Sequence, residues 1–208
     1  MDSIRAALRK MLGPNAGVGV TDPTVPSDLW PEETSAMSRA IPKRRTEFAA
    51  GRKAARIAMA ELDLPPVAIL QGADRAPIWP KGISGSISHC AQCCIAVVAQ
   101  TPHYPTLGVD VEAADPLDND LIPVVCTPAE QVWLRDAPHP GLAAKKIFSA
   151  KEAVYKAQYP LTGKVIGFDA VSLIIDEDRF SVAANPTLPT LKGTILIQEG
   201  LILSVAHG

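Results

Sequence analysis

Aromatic side chains are scarce in this 208-residue chain, where Phe, Trp and Tyr together make up 5%. That excludes a core built on stacked rings. The 47% hydrophobic content, rich in alanine, points instead to aliphatic packing with helices in close contact. Long apolar runs are missing too. The longest, Cys93 to Ala99, falls far short of the roughly 20 residues that a membrane-spanning helix needs. The stretch from Met1 to Gly13 carries charges throughout and has no apolar centre, which argues against a secretory signal and for a cytoplasmic protein off the membrane. Cysteine is sparse as well. Cys90, Cys93, Cys94 and Cys126 are too few and too clustered for a secreted disulfide framework. Cys90-x-x-Cys93 beside His89 lacks the second ligand pair of a zinc site, so reduced, partly buried thiols are expected. Nor is there an excess of one charge. A formal charge of −2 and a pI of about 6.1 give no reason to expect a nucleic-acid partner.

What is present is organised in two halves. The length suits one large domain or two of about 100 residues, and Pro102 with Pro105 marks a break. The expected units are 1–104 and 105–208. Residues 14–36, rich in Pro, Gly, Thr and Ser, read as an irregular lead-in. Phe48, Ala55, Met59 and Leu62 recur at helical spacing and predict a helix starting after Pro42 and running to about Leu62, stopped by Leu64-Pro65-Pro66. Val67 to Leu70 suits a short strand, and 72–85 a loop. Alternation predicts a half-exposed strand over Ile83 to His89, paired with a buried one over Cys94 to Ala99. In the second half, strands are expected at Leu107 to Glu112, Ala170 to Ile175, Arg179 to Ala183, Thr194 to Gln198 and Leu201 to Ala206. Helices are expected at Thr127 to Leu134 and Gly141 to Gln158. Each half is helix plus strands without βαβ alternation, which predicts an α+β fold with mostly antiparallel sheet. No sequence repeat links the halves.

Three segments carry candidate chemistry. In Gly108-Val109-Asp110-Val111-Glu112 the two carboxylates point to one face of a strand while the valines enter the core. Acids held that close favour a cation between them or a raised pKa on one. Magnesium takes such oxygen ligands together with substrate phosphates. A strand with a polar outer face is the bland alternative. In Phe148-Ser149-Ala150-Lys151-Glu152-Ala153-Val154-Tyr155-Lys156, Glu152 and Lys156 share a helix face. Ser149-x-x-Glu152 reads either as a capping box or, with the two lysines, as a pyrophosphate cradle near a helix start. Between Arg39 and Arg56 lie seven basic residues against one acid, Glu47. Arg45, Arg52 and Arg56 line one face of that helix, with Arg44 in reach. With Ser86, Ser88 and His89 they would suit a phosphate monoester.

These segments, in this order, resemble the phosphopantetheinyl transferase superfamily, specifically its longer single-chain branch serving siderophore, polyketide and fatty-acid assembly lines. The matching stretches are Arg44 to Phe48, Gly51 to Arg56, Ala76 to Pro80, Gly85 to Cys90, Gly108 to Glu112 and Phe148 to Lys156. The resemblance implies two similar subdomains related by a pseudo-twofold axis, each a small antiparallel sheet packed with a long helix, and coenzyme A bound between them. It implies Asp110, Glu112 and Glu152 as ligands of Mg2+, or of Mn2+. Lys151 and Lys156 would sit near the pyrophosphate, and Arg44 (or Arg45), Arg52, Ser88 and His89 at the nucleotide and its 3′-phosphate. Gln71 stands where some relatives carry lysine, and Arg75 could supply that charge.

The implied reaction transfers the phosphopantetheine arm to a serine of an acidic apo acyl or peptidyl carrier protein. Glu152 would take the serine proton, a metal-bound water being the other route, and Lys156 would stabilise charge. A monomer is the family expectation. A magnesium-dependent phosphodiester hydrolase and a non-catalytic coenzyme A-binding module are the competing classes.

Overall fold

The structure, a computed structural model, describes residues 1–208. The chain forms two compact units, Met1–Leu107 and Gly108–Gly208. None of its helices is long and apolar enough to cross a membrane.

The first unit begins with helix α1 (Asp2–Leu12), whose Ile4, Leu8 and Leu12 recur every fourth residue and are buried. Strand β1 (Ala16–Thr21) follows, and every one of its residues is buried. This corrects the irregular lead-in expected over 14–36. Gly17 and Gly19 lower β propensity, but they are what lets α2 (Pro42–Ala60) lie on the strand. A Cβ at Gly17 would stand 1.9 Å from the Ala58 carbonyl oxygen, and one at Gly19 would stand 1.8 Å from that of Ala54. A proline at the first turn of α2 costs nothing there, because that N–H has no helical partner. After the short pair β2 (Leu70–Gln71) and β3 (Pro77–Ile78) come β4 (Ile83–His89) and β5 (Cys94–Gln100). The sheet runs β1-β5-β4, antiparallel, with Val18 opposite Val97 and Gly85 opposite Val98. The small face of α2 (Ala54, Ala55, Ala58, Met59) packs on it. β4 is less exposed than its alternation predicts, since Ser84, Ser86 and Ser88 are 8%, 4% and 8% exposed.

Strand β6 (Leu107–Ala113) leads into the second unit, which continues through α3 (Ile122–Val125), α4 (Pro128–Arg135) and α5 (Pro140–Thr162) and ends in four strands. These are β7 (Leu173–Asp176), β8 (Arg179–Val182), β9 (Lys192–Gln198) and β10 (Leu201–His207), in the sheet order β6-β10-β9-β8-β7. Glu199 and Gly200 both have positive φ (51° and 73°), which suits the two-residue turn that joins β9 to β10. The core gathers Ile147, Ala150, Ala153, Val154 and Ala157 of α5 against Ile195, Ile202 and Ala206 of the sheet. The α+β class and the two sheet-and-helix halves agree with the sequence.

Each unit contains the same device without sharing a readable sequence repeat. In the first, Glu33 of a 3-10 turn (Pro31–Met37) accepts hydrogen bonds from Trp30 N (3.0 Å) and Ile69 N (2.9 Å) and pairs with Arg56 (2.7 Å). In the second, Glu130 of α4 accepts from Thr127 N (2.7 Å) and Leu173 N (2.8 Å) and pairs with Lys151 (2.8 Å). Both carboxylates are almost fully buried, at 1% and 3% exposure. Each ties a helix start, the long helix and a neighbouring chain segment to one charged group, which is tolerable in the interior only because its oxygens are hydrogen-bonded and its charge is paired.

Candidate active site

Gly108 brings β6 against α5. A Cβ there would lie 1.9 Å from the Ala153 carbonyl oxygen, so only glycine permits the approach. The strand period then sends Asp110 and Glu112 to the same side. On α5, Lys145, Glu152 and Lys156 are seven and four residues apart and share one stripe of the helix. Where strand and stripe meet, Lys156 Nζ donates to Asp110 Oδ1 (2.7 Å) and to the Val109 carbonyl (3.1 Å). Lys145 Nζ donates to Glu112 Oε2 at 2.5 Å and stands 4.8 Å from the Phe148 ring centre. Asp110 is buried, at 3% exposure. Burial raises the Glu152 pKa above the usual carboxylate value, the charges of Asp110 and Glu112 push it the same way, and Lys156 opposes them.

Asp110, Glu112 and Glu152 are therefore near enough to act on one another, and they are the residues that could hold a hard divalent cation. No three His, Cys, Asp or Glu side chains close around a common point. The two strand carboxylates take an ammonium each instead.

Two of the residues expected at the ligand, Lys151 and Arg52, are buried with protein partners. Lys151 is 1% exposed, and its three N–H groups are taken by Glu130 (2.8 Å), Val125 O (2.8 Å) and Phe168 O (3.0 Å). It is held away from the carboxylate row. Ser149 lies well inside α5, so it caps nothing and meets Ser204 Oγ at 2.9 Å. The helix start beside this segment is that of α4, whose first-turn Glu130 takes Lys151. Arg52, 5% exposed, bonds to the Ile69 and Leu70 carbonyls and stacks 3.9 Å over the Phe48 ring, and burial lowers its pKa to about 10. It belongs to the core of the first unit.

The remaining basic candidates are on the surface. Arg44 Nη1 lies 3.2 Å from His89 Nε2 and 3.7 Å from Glu47. His89 borders a cavity of about 580 Å³ lined also by Lys43, Thr46, Glu47 and Cys90. Arg45 faces a different hollow beside Asp28 and Leu29, Arg75 sits at positive φ in the turn between β2 and β3, and Ser88 is buried. Sequence reasoning missed Lys145, although its seven-residue distance from Glu152 was a usable signal. It also missed Glu33 and Glu130, of which Thr127-x-x-Glu130 announces the second as a capping box.

The four cysteines are free thiols. A hydrogen bond with Cys90 and burial push the Cys93 thiol far up, and burial pushes Cys94 to about 12 and Cys126 to about 11. All three stay protonated near pH 8 and are buried, whereas Cys90 is half-buried at the cavity edge. Iodoacetamide at pH 8 is therefore expected to add one label to the native protein, at Cys90, and four after unfolding. Peptide mass mapping that finds Cys94 or Cys126 labelled first contradicts this packing.

Two family models match consecutive parts of the chain. Residues 31–99 match the 4'-phosphopantetheinyl transferase N-terminal domain, and residues 106–200 match the 4'-phosphopantetheinyl transferase superfamily. Among curated proteins, 4'-phosphopantetheinyl transferase Svp of Streptomyces mobaraensis is 41% identical over 169 residues, covering 77% of this chain and 67% of that protein. 4'-Phosphopantetheinyl transferase PptT of Mycobacterium tuberculosis is 36% identical over 192 residues, or 84% of this chain and 83% of its own length. Enterobactin synthase component D of Escherichia coli (strain K12) is 37% identical over 132 residues, 62% of each chain. The chain belongs to the 4'-phosphopantetheinyl transferase superfamily and is an enzyme of that class.

Proposed function

We propose that the chain moves the 4'-phosphopantetheine group of coenzyme A onto a serine hydroxyl of an apo acyl or peptidyl carrier protein and releases 3',5'-adenosine bisphosphate. The observation that carries this reading is the charged row where α5 crosses β6, with Asp110 on Lys156, Glu112 on Lys145 and Glu152 beside them. Family membership supports the group transferred. The row supports the means.

The serine oxygen bonds to the β-phosphorus of coenzyme A as the bond from that phosphorus to the bridging oxygen breaks. The electron pair leaves on the adenosine bisphosphate. Lys156, with its ammonium fixed at Asp110, stabilises charge gathering on the diphosphate oxygens. Glu152 takes the serine proton, since its half-buried carboxylate sits among like charges that favour accepting one. The chemistry of the donors suits a hard divalent cation, because Asp110, Glu112 and Glu152 act on one another through charge and offer oxygen with no sulfur or imidazole among them. Asp110, Glu112 and Glu152 would hold Mg2+, with Mn2+ the alternative. Such an ion, when bound, screens the charge of the diphosphate. In the first unit, Arg44 with His89 is assigned to the 3'-phosphate, which a guanidinium grips by two oxygens at once.

The test mixes the protein with coenzyme A, magnesium and a panel of apo carriers from siderophore, polyketide and fatty-acid assembly lines. Mass spectrometry is expected to show at least one carrier gaining the arm, and a chelator is expected to stop it. No gain on any carrier overturns the proposal. Coenzyme A breakdown without carrier would make the chain a hydrolase instead.

A further inference from the structure

We infer that Lys145 is a positioning residue that makes divalent-cation binding and coenzyme A binding depend on each other, by competing with the cation for Glu112. The inference rests on the proposed function above and goes beyond it, because nothing in the family resemblance assigns a role to this position. Three observations meet at this side chain. Its ammonium lies 2.5 Å from Glu112 Oε2, so that oxygen cannot at the same time serve a cation at full strength. The Phe148 ring, 4.8 Å from Nζ, holds the ammonium in place. Lys145 also shares the helical stripe of Glu152 and Lys156, so it is presented to the same row of acids.

The ion pair is largely sheltered, with side chains 17% and 28% exposed, and water screens it less than it would a surface pair. One carboxylate oxygen serves an ammonium and a cation less well than either alone. A divalent ion that takes Glu112 Oε2 competes with the ammonium there, and a displaced ammonium meets Asp110 already paired with Lys156. A released ammonium beside a diphosphate finds a new anion there. Cation binding alone therefore loses the Lys145–Glu112 pair. Cation and coenzyme A bound together replace it with a pair between Lys145 and phosphate. The consequence is positive coupling between the two ligands, equal in both directions.

The experiment titrates Mn2+ into the full chain by electron paramagnetic resonance, with and without coenzyme A. Lys145→Met is expected to bind Mn2+ about threefold to tenfold more tightly than wild type without coenzyme A, as removing one competing ion pair implies. It is also expected to lose most of the gain in Mn2+ affinity that coenzyme A produces in wild type. Lys145→Arg is expected to keep the coupling. Lys146→Met, next in sequence but facing a separate hollow beside Trp133 and Leu142, is expected to change neither affinity. A merely structural salt bridge would lower the melting temperature of Lys145→Met without tightening Mn2+, and unchanged or weaker Mn2+ binding by that variant overturns the inference. If wild type binds no Mn2+ under any condition, the cation site itself is gone and the inference with it. If the titrations behave as expected while no carrier is modified, only the proposed chemistry fails.

Discussion

Asp110→Asn is expected to reduce transfer by about 10²–10³-fold, the scale on which removing one preorganised charge-stabilising group acts, while leaving a folded protein. Asparagine keeps the size of the side chain and an oxygen that can still accept from Lys156 Nζ, now 2.7 Å from Oδ1. What it removes is the negative charge. Lys156 then loses the anion that fixes its ammonium, and any cation at the row loses one of three carboxylates. Stability changes less, because Lys156 is still 26% exposed and water replaces part of the lost pairing. A charge-assisted hydrogen bond is worth about 1.5–3 kcal/mol, and a chain of this size loses about 2–4 °C of melting temperature per kcal/mol. Carrier modification followed by mass spectrometry and a thermal melt on the same sample separate the two effects. A variant that melts within a few degrees of wild type and still transfers at full rate would remove Asp110 from the site.

The parts of this site that obey one short period are the parts that the sequence makes legible. Asp110 and Glu112 follow from strand alternation, and Glu152 with Lys156 from helical spacing, because each pair lies within one element. The strand Ile83 to His89 is found where its pattern puts it, and the helix expected over Gly141 to Gln158 spans Pro140–Thr162. Partners across elements are a different matter. That Lys145, and not Lys151, reaches the acids depends on how α5 is rotated over β6, which Gly108 and the small residues Ala153 and Ala157 decide. The rotation could have been read from the neighbours. Ile147, Val154 and Gln158 lie four before, three after and seven after Lys151, and all three are buried, so Lys151 stands on the inward stripe. A buried lysine runs against expectation unless its partner is known, and that partner, Glu130, comes from another helix. β1 was hidden for the opposite reason. Its glycines look like a loop, yet they are there so that the carbonyls of Ala54 and Ala58 can touch the strand.

Lys151→Met is expected to be the most destabilising of the single changes considered, and it decides whether this lysine serves the fold or a phosphate. Methionine matches the length of the aliphatic stem but leaves the Glu130 carboxylate, 3% exposed, with no counter-charge, and strips the Val125 and Phe168 carbonyls of their donor. Breaking a buried pair by removing one partner costs about 3–5 kcal/mol, a large share of the roughly 5–15 kcal/mol that holds a domain together. The melting temperature is therefore expected to fall by about 6–20 °C. Glu130→Gln in the same chain is expected to recover part of that loss. A neutral amide oxygen can still accept from Leu173 N, which Glu130 Oε1 now does at 2.8 Å, without carrying an uncompensated charge. The opposite pattern is just as readable. If Lys151→Met melts like wild type, gains nothing from Glu130→Gln and instead loses coenzyme A affinity, then the ammonium belongs to the ligand, and the buried cluster of Lys151, Glu130 and two carbonyls does not hold α5 in place.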